Sequence, residues 1–400
     1  MKIALVSEHA SPLATLGGED AGGQNVYVSA LAVELGRQGH EITVYTRRDS
    51  AGLPDRMYLT EAVAVEHLRA GPERMITKDL LLPHMPEFGA ELRQRWRIDP
   101  PHVVHSHFWM SGIAALAATA GINIPIVHTF HALGIVKRRH QGENDRSPKE
   151  RIRLERNIGR SVELVAATCT DEVNELIGLG IPRDRIRVVP CGVDIATFTP
   201  DGPALPRGKA VRLLYLGRLV ERKRIDTIVR ALPGIADAEL IIAGGPPAAQ
   251  LTDDANVRRL RLIAEKCGVQ DQVLFLGNVA HVDVPKLIRS ADLVVNVPPY
   301  EPFGMVPVEA MACGVPVVVS PIGGHLDTVV DGKTGIYVSG DQPEELARRI
   351  TDLLDEPARY HELASQAAER TRALYSWGRV AKEMLRVYRH AMSATMRIAG

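Results

Sequence analysis

The sequence predicts an α/β protein made of two doubly wound, Rossmann-like domains that face a cleft. Short runs of β-branched and apolar residues alternate with helical stretches, and this alternation occurs twice along the 400 residues. Runs such as 2–7 and 211–217 lack the polar/apolar alternation of a strand with one solvated face, so they are typical of strands buried on both faces. A chain of this length also exceeds one ordinary hydrophobic core.

Each candidate strand is followed by a helical stretch, an order that predicts βαβ units and parallel sheets. In the first half the candidate strands are 2–7, 41–46, 102–106, 125–129 and 163–168. In the second half they are 211–217, 239–245, 272–277, 292–297 and 315–320. Because ligands of open α/β sheets bind beyond the carboxyl ends of strands, motifs directly after these runs are the first candidates for a site.

Proline and glycine are concentrated between the two halves. Residues 190–210 hold four prolines and three glycines, a composition typical of a linker. We therefore predict a first domain over 1–195, a linker over 196–210, a second domain over 211–375 and a C-terminal helix over 376–400.

The bulk composition excludes several classes of protein. The 48 basic and 48 acidic residues cancel, which disfavours nucleic acid as a partner. The four cysteines have no CxxC spacing, so neither structural zinc nor a disulfide framework is expected, and a reducing compartment fits best. The N-terminus indicates a first strand rather than a signal peptide, and no apolar stretch reaches the ~18–20 residues of a membrane span. We expect a cytoplasmic protein.

A glycine-rich loop follows the first candidate strand and precedes an apolar helix that starts near Asn25. Its glycines are Gly17, Gly18, Gly22 and Gly23. Glycine allows close backbone approach to a ligand, and a helix start offers N–H groups to a phosphate. The alternative is that the glycines only shape a long βα loop. The GxGxxG fingerprint of dinucleotide enzymes does not follow this strand, which disfavours a dehydrogenase.

Four histidines follow two further candidate strands, in the segments 105–112 and 128–134. They are His105, His107, His128 and His131. The alternation of a strand could make the first two a metal pair. However, no Asp, Glu or Cys completes a convincing ligand set, so we expect no metal. A lone histidine is more often structural, but two clusters at equivalent strand ends favour a polar active-site surface whose imidazoles bond to sugar or phosphate oxygens.

The segment 215–226 carries basic residues just after a strand of the second half. Arg218 offers a bidentate fork to phosphate oxygens, and Lys223 adds a point charge. A solvated basic turn is the alternative, because Arg222 and Arg224 are also present.

The stretch "EPFGMVPVE", residues 301–309, predicts a helix start rather than a pair of catalytic carboxylates. Pro307 is well accepted in the first turn and predicts a helix over about 306–313. Glu309 is then inside the helix while Glu301 precedes it, so each has its own role. The N–H groups expected to point from this helix start towards a phosphate belong to Gly304, Met305 and Val306.

Taken together, these motifs resemble those of a known enzyme family. "GGEDAGGQ", "HTFHALG", "GRLVERK", "EPFGMVPVEAMACGVPVV" and "GGHLDTVVDGKTG" are similar, in this order, to the retaining glycosyltransferases of family 4, which have the GT-B fold. Sucrose-phosphate-synthase-like enzymes and the D-inositol-3-phosphate N-acetylglucosaminyltransferases are the most similar groups. The resemblance covers essentially the whole chain and implies that residues 376–400 cross back to the N-terminal domain.

The resemblance implies transfer of a hexosyl group, with retention, from a nucleotide sugar to a hydroxyl of a small polyol, sugar or cyclitol. A UDP-sugar is the favoured donor, and no metal or other cofactor is expected. The N-terminal domain would bind the acceptor and the second domain the nucleotide sugar. The remaining alternatives are another GT-B activity, such as a disaccharide synthase, phosphorylase or epimerase, and a non-catalytic sugar-nucleotide binder.

The resemblance also implies a role for each matched donor-side residue. Arg218 and Lys223 would neutralise the diphosphate as it leaves. Glu301 and His131 would hold the donor sugar, and Glu309 would accept hydrogen bonds from the ribose. The implied catalytic residues are His131, Arg218, Lys223 and Glu301. The implied donor-binding residues are Gly23, whose backbone would lie beside the diphosphate, with Gly304, Met305, Val306 and Glu309.

On the acceptor side the sequence departs from the inositol-phosphate enzymes. Those relatives use a tyrosine and a threonine where Phe108 and Ala132 stand here, so inositol phosphate is disfavoured as the acceptor. Lys78 could match their phosphate-binding lysine. The acceptor residues implied by the resemblance are Asn25, Lys78, His107, Phe108 and Ala132. Elsewhere Arg224 replaces a usual glycine, and Leu326 and Asp327 replace a common proline and glutamate.

Residues 137–160 carry nine basic and four acidic residues. This segment could bind an acidic acceptor or make a peripheral contact with an anionic membrane, and a solvated helix face is the favoured alternative. The sequence leaves the oligomeric state open.

Overall fold

The computed structural model describes residues 1–13 and 22–398 and divides the chain into two compact units. The first comprises Met1–Gly192 and Trp377–Gly400, and the second comprises Val193–Ser376. Residues 196–210, which the sequence suggests as a linker, are thus grouped with the second unit.

The first unit is built on a mostly parallel sheet. Its strands are β1 (Lys2–Val6), β2 (Glu41–Arg47), β3 (Arg56–Thr60), β4 (Val63–Leu68), β5 (Val103–His107), β6 (Ile126–Thr129), β7 (Leu164–Ala167) and β8 (Ile186–Val188). They pair in the order β3-β4-β2-β1-β5-β6-β7-β8, and β3 runs antiparallel to β4. Since β1 pairs with both β2 and β5, the strand order reverses beside β1.

Helices cover the faces of this sheet and bury its apolar strands. They are α1 (Gly23–Arg37), α2 (Met85–Ile98), α3 (Trp109–Thr119), α4 (Gly134–Gln141), α5 (Arg151–Ser161) and α6 (Thr170–Gly178). Helix α1 begins with a local cap, in which the Gly22 N–H donates to Asn25 Oδ1 at 3.0 Å. The largest side chains of the core include Trp96 of α2, which is 1% exposed.

The second unit has a wholly parallel sheet in its described pairings. Its strands are β9 (Val211–Leu216), β10 (Ala238–Ala243), β11 (Val273–Gly277), β12 (Leu293–Asn296), β13 (Val317–Val319) and β14 (Gly335–Tyr337). Their order is β11-β10-β9-β12-β13-β14. This is the strand order of a Rossmann fold, with its topological switch point between β9 and β12.

The remaining helices complete both units. In the second unit they are α7 (Ile225–Ala231), α8 (Ala255–Lys266), α9 (Val284–Arg289), α10 (Met305–Ala312), α11 (His325–Thr328), α12 (Pro343–Leu354) and α13 (Pro357–Leu374). The last helix, α14 (Trp377–Ile398), belongs to the first unit, where it packs on α1. No helix among residues 1–13 and 22–398 is long and apolar enough to cross a membrane.

The predicted fold class, an α/β protein with two doubly wound domains, is confirmed. The strands that the sequence does not predict are β3, β4, β8 and β14. Strand β3 alternates between exposed and half-buried residues at the sheet edge, and β8 and β14 are three residues each. Strands β3, β8 and β14 are thus too exposed or too short to give the continuous apolar run of a central strand. Strand β4 is mostly buried, but Glu66 and His67 interrupt its apolar sequence.

Candidate active site

The loops that follow β9 and β12 bring two charged side chains together at the switch point of the second unit. Lys223 lies in a short 3₁₀ turn between β9 and α7, and Glu301 lies between β12 and α10. The Lys223 Nζ donates to Glu301 Oε2. Since the carboxyl ends of the strands flank this point, it is where an α/β sheet of this order binds ligands.

This ion pair is largely removed from water, because the side chains of Lys223 and Glu301 are 13% and 14% exposed. Burial alone would raise the pKa of Glu301, but the charges of Lys223, Arg222 and His325 outweigh it and hold the pKa at about 2. The carboxylate is therefore ionised, and its interactions are strengthened by the low local dielectric.

Further arginines increase the positive charge around this carboxylate. The Arg222 guanidinium stacks on the Tyr300 ring, 5.1 Å from its centroid. Burial lowers the pKa of Lys223, and the charges of Arg222 and Arg218 lower it further, against the opposing effect of Glu301. Arg222 thus acts on both members of the ion pair and Arg218 acts on Lys223, and a bound anion would relieve the repulsion among these three cations.

The helix start predicted in "EPFGMVPVE" is observed one residue early, since α10 spans Met305–Ala312. Gly304 caps it with φ 87° and ψ 66°, a left-handed conformation that favours glycine. A Cβ on Gly304 would lie 2.7 Å from His325 Cδ2, so a larger residue does not fit there. The first N–H groups of the helix, those of Met305 and Val306 among them, have no acceptor within the helix itself.

Glu309 differs sharply from Glu301 in its surroundings. It lies within α10 and is 8% exposed. Burial raises its pKa to about 8, because no nearby cation compensates for the loss of water. Its carboxyl group is therefore mostly protonated at neutral pH.

In the first unit, polar residues gather at the switch point beside β1. The Glu8 carboxylate accepts from Ser111 Oγ, and His9 Nδ1 lies 2.7 Å from Glu8 Oε1. The Glu8 N–H donates back to Ser111 Oγ at 3.0 Å, and His9 packs edge-on against the Phe108 ring, with centroids 4.9 Å apart. A buried carboxylate thus orients a histidine next to the predicted acceptor side.

Two of the predicted histidines have structural bonding. The His105 ring nitrogens lie 2.8 Å from Tyr388 Oη and 2.9 Å from Thr129 Oγ1, so both are in use. His128 Nδ1 lies 2.8 Å from Ser106 Oγ. Across the described parts of the chain, no group of three or more His, Cys, Asp or Glu side chains is arranged to hold a metal ion.

The other two histidines bond to each other. His107 Nδ1 lies 3.0 Å from His131 Nε2. Burial and the neighbouring histidines lower the pKa of His107 well below its usual range, and burial lowers that of His131 to about 3. His107 is 0% exposed, which places its side chain in the interior, whereas His131 is half-buried.

Strained backbone marks this region. Phe108 follows β5 with φ 75°, and His131 follows β6 with φ 62°. Left-handed backbone in residues other than glycine costs about 1–3 kcal/mol and clusters at functional sites. Both strained residues belong to the set implied by the resemblance.

Comparisons with known proteins agree with this geometry. Residues 21–197 match the model "Glycosyltransferase Family 4", and residues 203–370 match "Glycosyl transferases group 1". The D-inositol 3-phosphate glycosyltransferase of Acidothermus cellulolyticus is 33% identical, over 100% of this chain and 93% of that protein. That of Kineococcus radiotolerans is 34% identical, over 98% and 95%. The chain is a family 4 glycosyltransferase.

Solved structures show the same fold for this glycosyltransferase. Sucrose-phosphate synthase from Thermosynechococcus elongatus superposes with a TM-score of 0.89 and 30% identity, covering 98% of this chain and 99% of that one. Anabaena HepE in complex with UDP gives a TM-score of 0.76 at 20% identity, covering 96% and 99%. The predicted GT-B fold is thereby confirmed.

Asn25 and Gly23, both predicted site residues, lie at the start of α1. Asn25 caps the helix through Oδ1, and its Nδ2 donates to the Ser11 carbonyl at 3.0 Å, so its polar atoms have internal partners. Gly23 is the exposed first residue of α1. Gly17 and Gly18 of the predicted loop lie outside the described residues.

Phe108 and Ala132, the two departures on the acceptor side, both contact Arg151. The Arg151 guanidinium lies 5.1 Å from the Phe108 ring centroid, and its Nη2 donates to the Ala132 carbonyl at 2.6 Å. Its Nε and Nη1 donate to Glu155 at 2.7 Å and to Ser147 at 3.1 Å. Arg151 is 4% exposed, so this cation contacts Phe108 and Ala132 from the interior of the protein. Lys78 is half-buried in a 3₁₀ turn, Lys78–Leu80.

His325 is the site residue of the glycosyltransferase that sequence reasoning missed on the donor side. Its Nδ1–H donates to the Ser320 carbonyl at 2.9 Å, and its ring packs against Gly304 near Glu301. The sequence offers one indication that His325 belongs to the site, because it follows a strand in the segment "GGHLDTV". On the acceptor side the missed residues are Glu8, His9, Ser111 and Arg151.

Part of the positive charge in 137–160 is paired inside the first unit. Asp145 lies 3.0 Å from Lys137 and 3.5 Å from Arg138, and Arg139 lies 2.6 Å from Glu175. A membrane contact of this segment stays a prediction.

Proposed function

We propose that this glycosyltransferase moves a hexosyl group from a UDP-sugar to a hydroxyl of a small polyol, sugar or cyclitol, with retention of configuration. The observation that carries the proposal is the buried Lys223–Glu301 pair at the β9–β12 switch point, with Arg218 and Arg222 beside it. This arrangement combines cations for a diphosphate with a carboxylate for sugar hydroxyls.

The donor would be held by complementary groups of the second unit. Lys223, Arg218 and the N-terminus of α10 would face the diphosphate. Glu301 would accept hydrogen bonds from the sugar, and Glu309 would accept them from the ribose. The complex of HepE with UDP, which shares the fold, supports a uridine nucleotide.

Catalysis would rest on stabilising the leaving group. Negative charge grows on the diphosphate as the glycosidic bond breaks, and fixed cations in a poorly solvated site stabilise that charge most in the transition state. Lys223 and Arg218 supply these cations without a metal. The leaving phosphate would take the proton of the acceptor hydroxyl on the same face, which gives retention.

For the acceptor we propose a molecule without a phosphate group, in contrast to the acceptor in the names of the inositol 3-phosphate relatives. Phe108 lacks a hydroxyl, and Ala132 offers no side-chain donor. Arg151, the buried cation beside them, already donates to Glu155, Ser147 and the Ala132 carbonyl. Phe108 and Ala132 thus offer no side-chain hydrogen-bond donor to a phosphate, and three of the five N–H groups of Arg151 already have internal acceptors.

The first test is calorimetry with UDP, GDP and ADP, followed by UDP-sugars with a panel of acceptors and mass spectrometry of the products. We expect UDP to bind most tightly and an unphosphorylated polyol, sugar or cyclitol to be glycosylated, with the anomeric configuration retained by NMR. Preference for inositol phosphate would contradict the acceptor proposal, and UDP binding without transfer to any acceptor would favour a non-catalytic binder.

Replacing Lys223 tests the diphosphate assignment. Lys223→Ala should abolish transfer, while Lys333→Ala, an exposed lysine of the same unit, should keep it. Full activity in Lys223→Ala would refute the assignment.

A further inference from the structure

The hydrogen bond between His107 and His131 restricts how His131 presents its ring. The two nitrogens in contact are His107 Nδ1 and His131 Nε2, 3.0 Å apart. Burial lowers the pKa of both imidazoles, so both rings are neutral at physiological pH. A neutral imidazole has one N–H and one bare nitrogen. The hydrogen bond between His107 and His131 must therefore contain one proton.

Two tautomer combinations satisfy this bond. In the first, His107 Nδ1–H donates to His131 Nε2, and His131 then carries its own proton on Nδ1. In the second, the direction is reversed, so His131 Nδ1 is bare and His107 carries its proton on Nε2. The choice decides whether His131 offers a donor or an acceptor to a ligand.

The surroundings of His107 Nε2 favour the first combination. This atom is buried and bonds to no residue within 1–13 and 22–398. A proton there would be a buried N–H without an acceptor, and orphaned N–H groups are rarer in native proteins than under-used acceptors. Neighbouring rings also fix the orientation, since His105 stacks at 4.0 Å and Tyr27 packs edge-on at 5.7 Å between centroids.

We propose that His107 is a positioning residue that holds His131 as an Nδ1–H donor. The inference rests on the proposed function, together with the role in binding sugar that the resemblance implies for His131. An N–H selects an oxygen with a free lone pair, so it suits a sugar hydroxyl oxygen or an oxygen of the leaving diphosphate. A bare nitrogen could accept from the hydroxyl O–H but could not bind the diphosphate oxygen. It also gives His107 a role consistent with its complete burial, through His131 rather than through the acceptor.

Nitrogen-15 NMR of histidine-labelled protein tests the tautomer directly, with the His131 signals assigned from a His131→Asn spectrum. We expect a protonated Nδ1 and a bare Nε2 on His131 in the wild type. His107→Leu should lose this preference. His107→Asn should keep it, because its side-chain amide can take the place of imidazole Nδ1. A bare His131 Nδ1 in the wild type would overturn the proposal.

Kinetics tests the consequence. His107→Leu should lower kcat by about tenfold to a hundredfold, as expected when a donor to the reacting system is misdirected, without changing the affinity for UDP. His107→Asn should restore most of the loss. The matched control is His128→Leu, which removes an equally buried histidine that bonds to Ser106 instead. Equal losses of kcat in both leucine variants would reduce His107 to a packing role and overturn the proposal.

The two failures are distinguishable. If His131 carries the Nδ1 proton but no donor is turned over, the proposed function fails and the tautomer assignment is supported. If transfer occurs and His131 Nδ1 is bare, the inference about His107 fails alone.

Discussion

The two units share a sheet of doubly wound type, yet titratable groups in their candidate sites have opposite charge states, one ionised and one neutral. At the switch point of the second unit, Glu301 stays ionised, with a pKa of about 2, because buried cations surround it. In the first unit, His131 is kept neutral, with a pKa of about 3, because burial meets no compensating charge. The identity of the neighbours, more than depth, thus decides whether a buried group keeps its charge.

The same contrast recurs within one motif. Glu301 and Glu309 lie eight positions apart in the sequence, but their pKa values are about 2 and about 8. Lys223 accounts for the first value, and desolvation accounts for the second. Two identical side chains are therefore suited to different tasks, one as a permanent anion and one as a carboxyl that ionises when a ligand binds.

Removing Lys223, the cation bonded to Glu301, should give the largest of the expected effects, a loss of stability. Lys223→Met would leave Glu301 buried without its partner, and loss of one member of a buried pair costs about 3–5 kcal/mol. Urea unfolding would measure the loss. Adding Glu301→Gln should recover much of the stability, while transfer activity stays absent in both variants. Equal stabilities of the single variant and the wild type would show that Lys223 does not sustain the charge.

The neutral histidines of the first unit should make the enzyme sensitive to acid. The pKa of His128 is lowered to about 3 by burial, below its value in the unfolded chain, so the unfolded state binds more protons between these values. Stability therefore falls as pH drops below about 6.5, by up to ~1.4 kcal/mol per pH unit for each such histidine. Urea midpoints from pH 7 to 5 would measure this slope.

His128→Leu should reduce that slope, since the leucine cannot take up a proton. An unchanged slope would mean that His128 is not neutral in the folded protein.

Glu309 should couple nucleotide binding to pH. Its pKa of about 8 means that the free enzyme is protonated there at pH 7. Hydrogen bonds from the ribose would stabilise the ionised form, so UDP binding should release a proton and tighten as pH rises towards 8. Calorimetry in buffers of different ionisation enthalpy would count that proton. Glu309→Gln should abolish the release, and its persistence would contradict the ribose assignment.

The buried Glu309 carboxyl should also lower the stability of the folded protein at high pH. A carboxyl whose folded pKa is raised contributes stability below its unfolded pKa, near 4.5, and this contribution is lost as pH rises through about 8. Relative to the wild type, Glu309→Gln should therefore gain about 4 kcal/mol between pH 5 and pH 9.

The smallest effect is expected at Arg224, which adopts φ 51° at the start of α7. A residue with a Cβ costs about 1–2 kcal/mol in this left-handed conformation, partly offset by the greater freedom of glycine in the unfolded chain. Arg224→Gly should raise the free energy of unfolding by about 0.5–1 kcal/mol. A loss of stability would show that the arginine side chain makes a compensating contact.

Much of the fold follows from local pattern, while much of the site does not. Buried runs such as 2–7 and 211–217 identify central strands because both faces are covered, and Pro307 locates the start of α10 within one residue. The partner of each charge is a long-range property. No local feature shows that Lys223 bonds to Glu301, that Glu8 orients His9, or that the His107 side chain is fully buried.

The Lys223–Glu301 bond joins residues 78 positions apart, and this spacing has a consequence for folding. The two loops can meet only when the segments between β9 and β12 are folded, so we expect the proposed nucleotide site to be absent from partly folded chains. A ligand that binds only the native state stabilises it by about 2.7 kcal/mol at a hundredfold excess over its Kd. UDP would then act as a thermodynamic reporter of complete folding, and cellular nucleotide levels would help to determine how much of the protein survives heat stress.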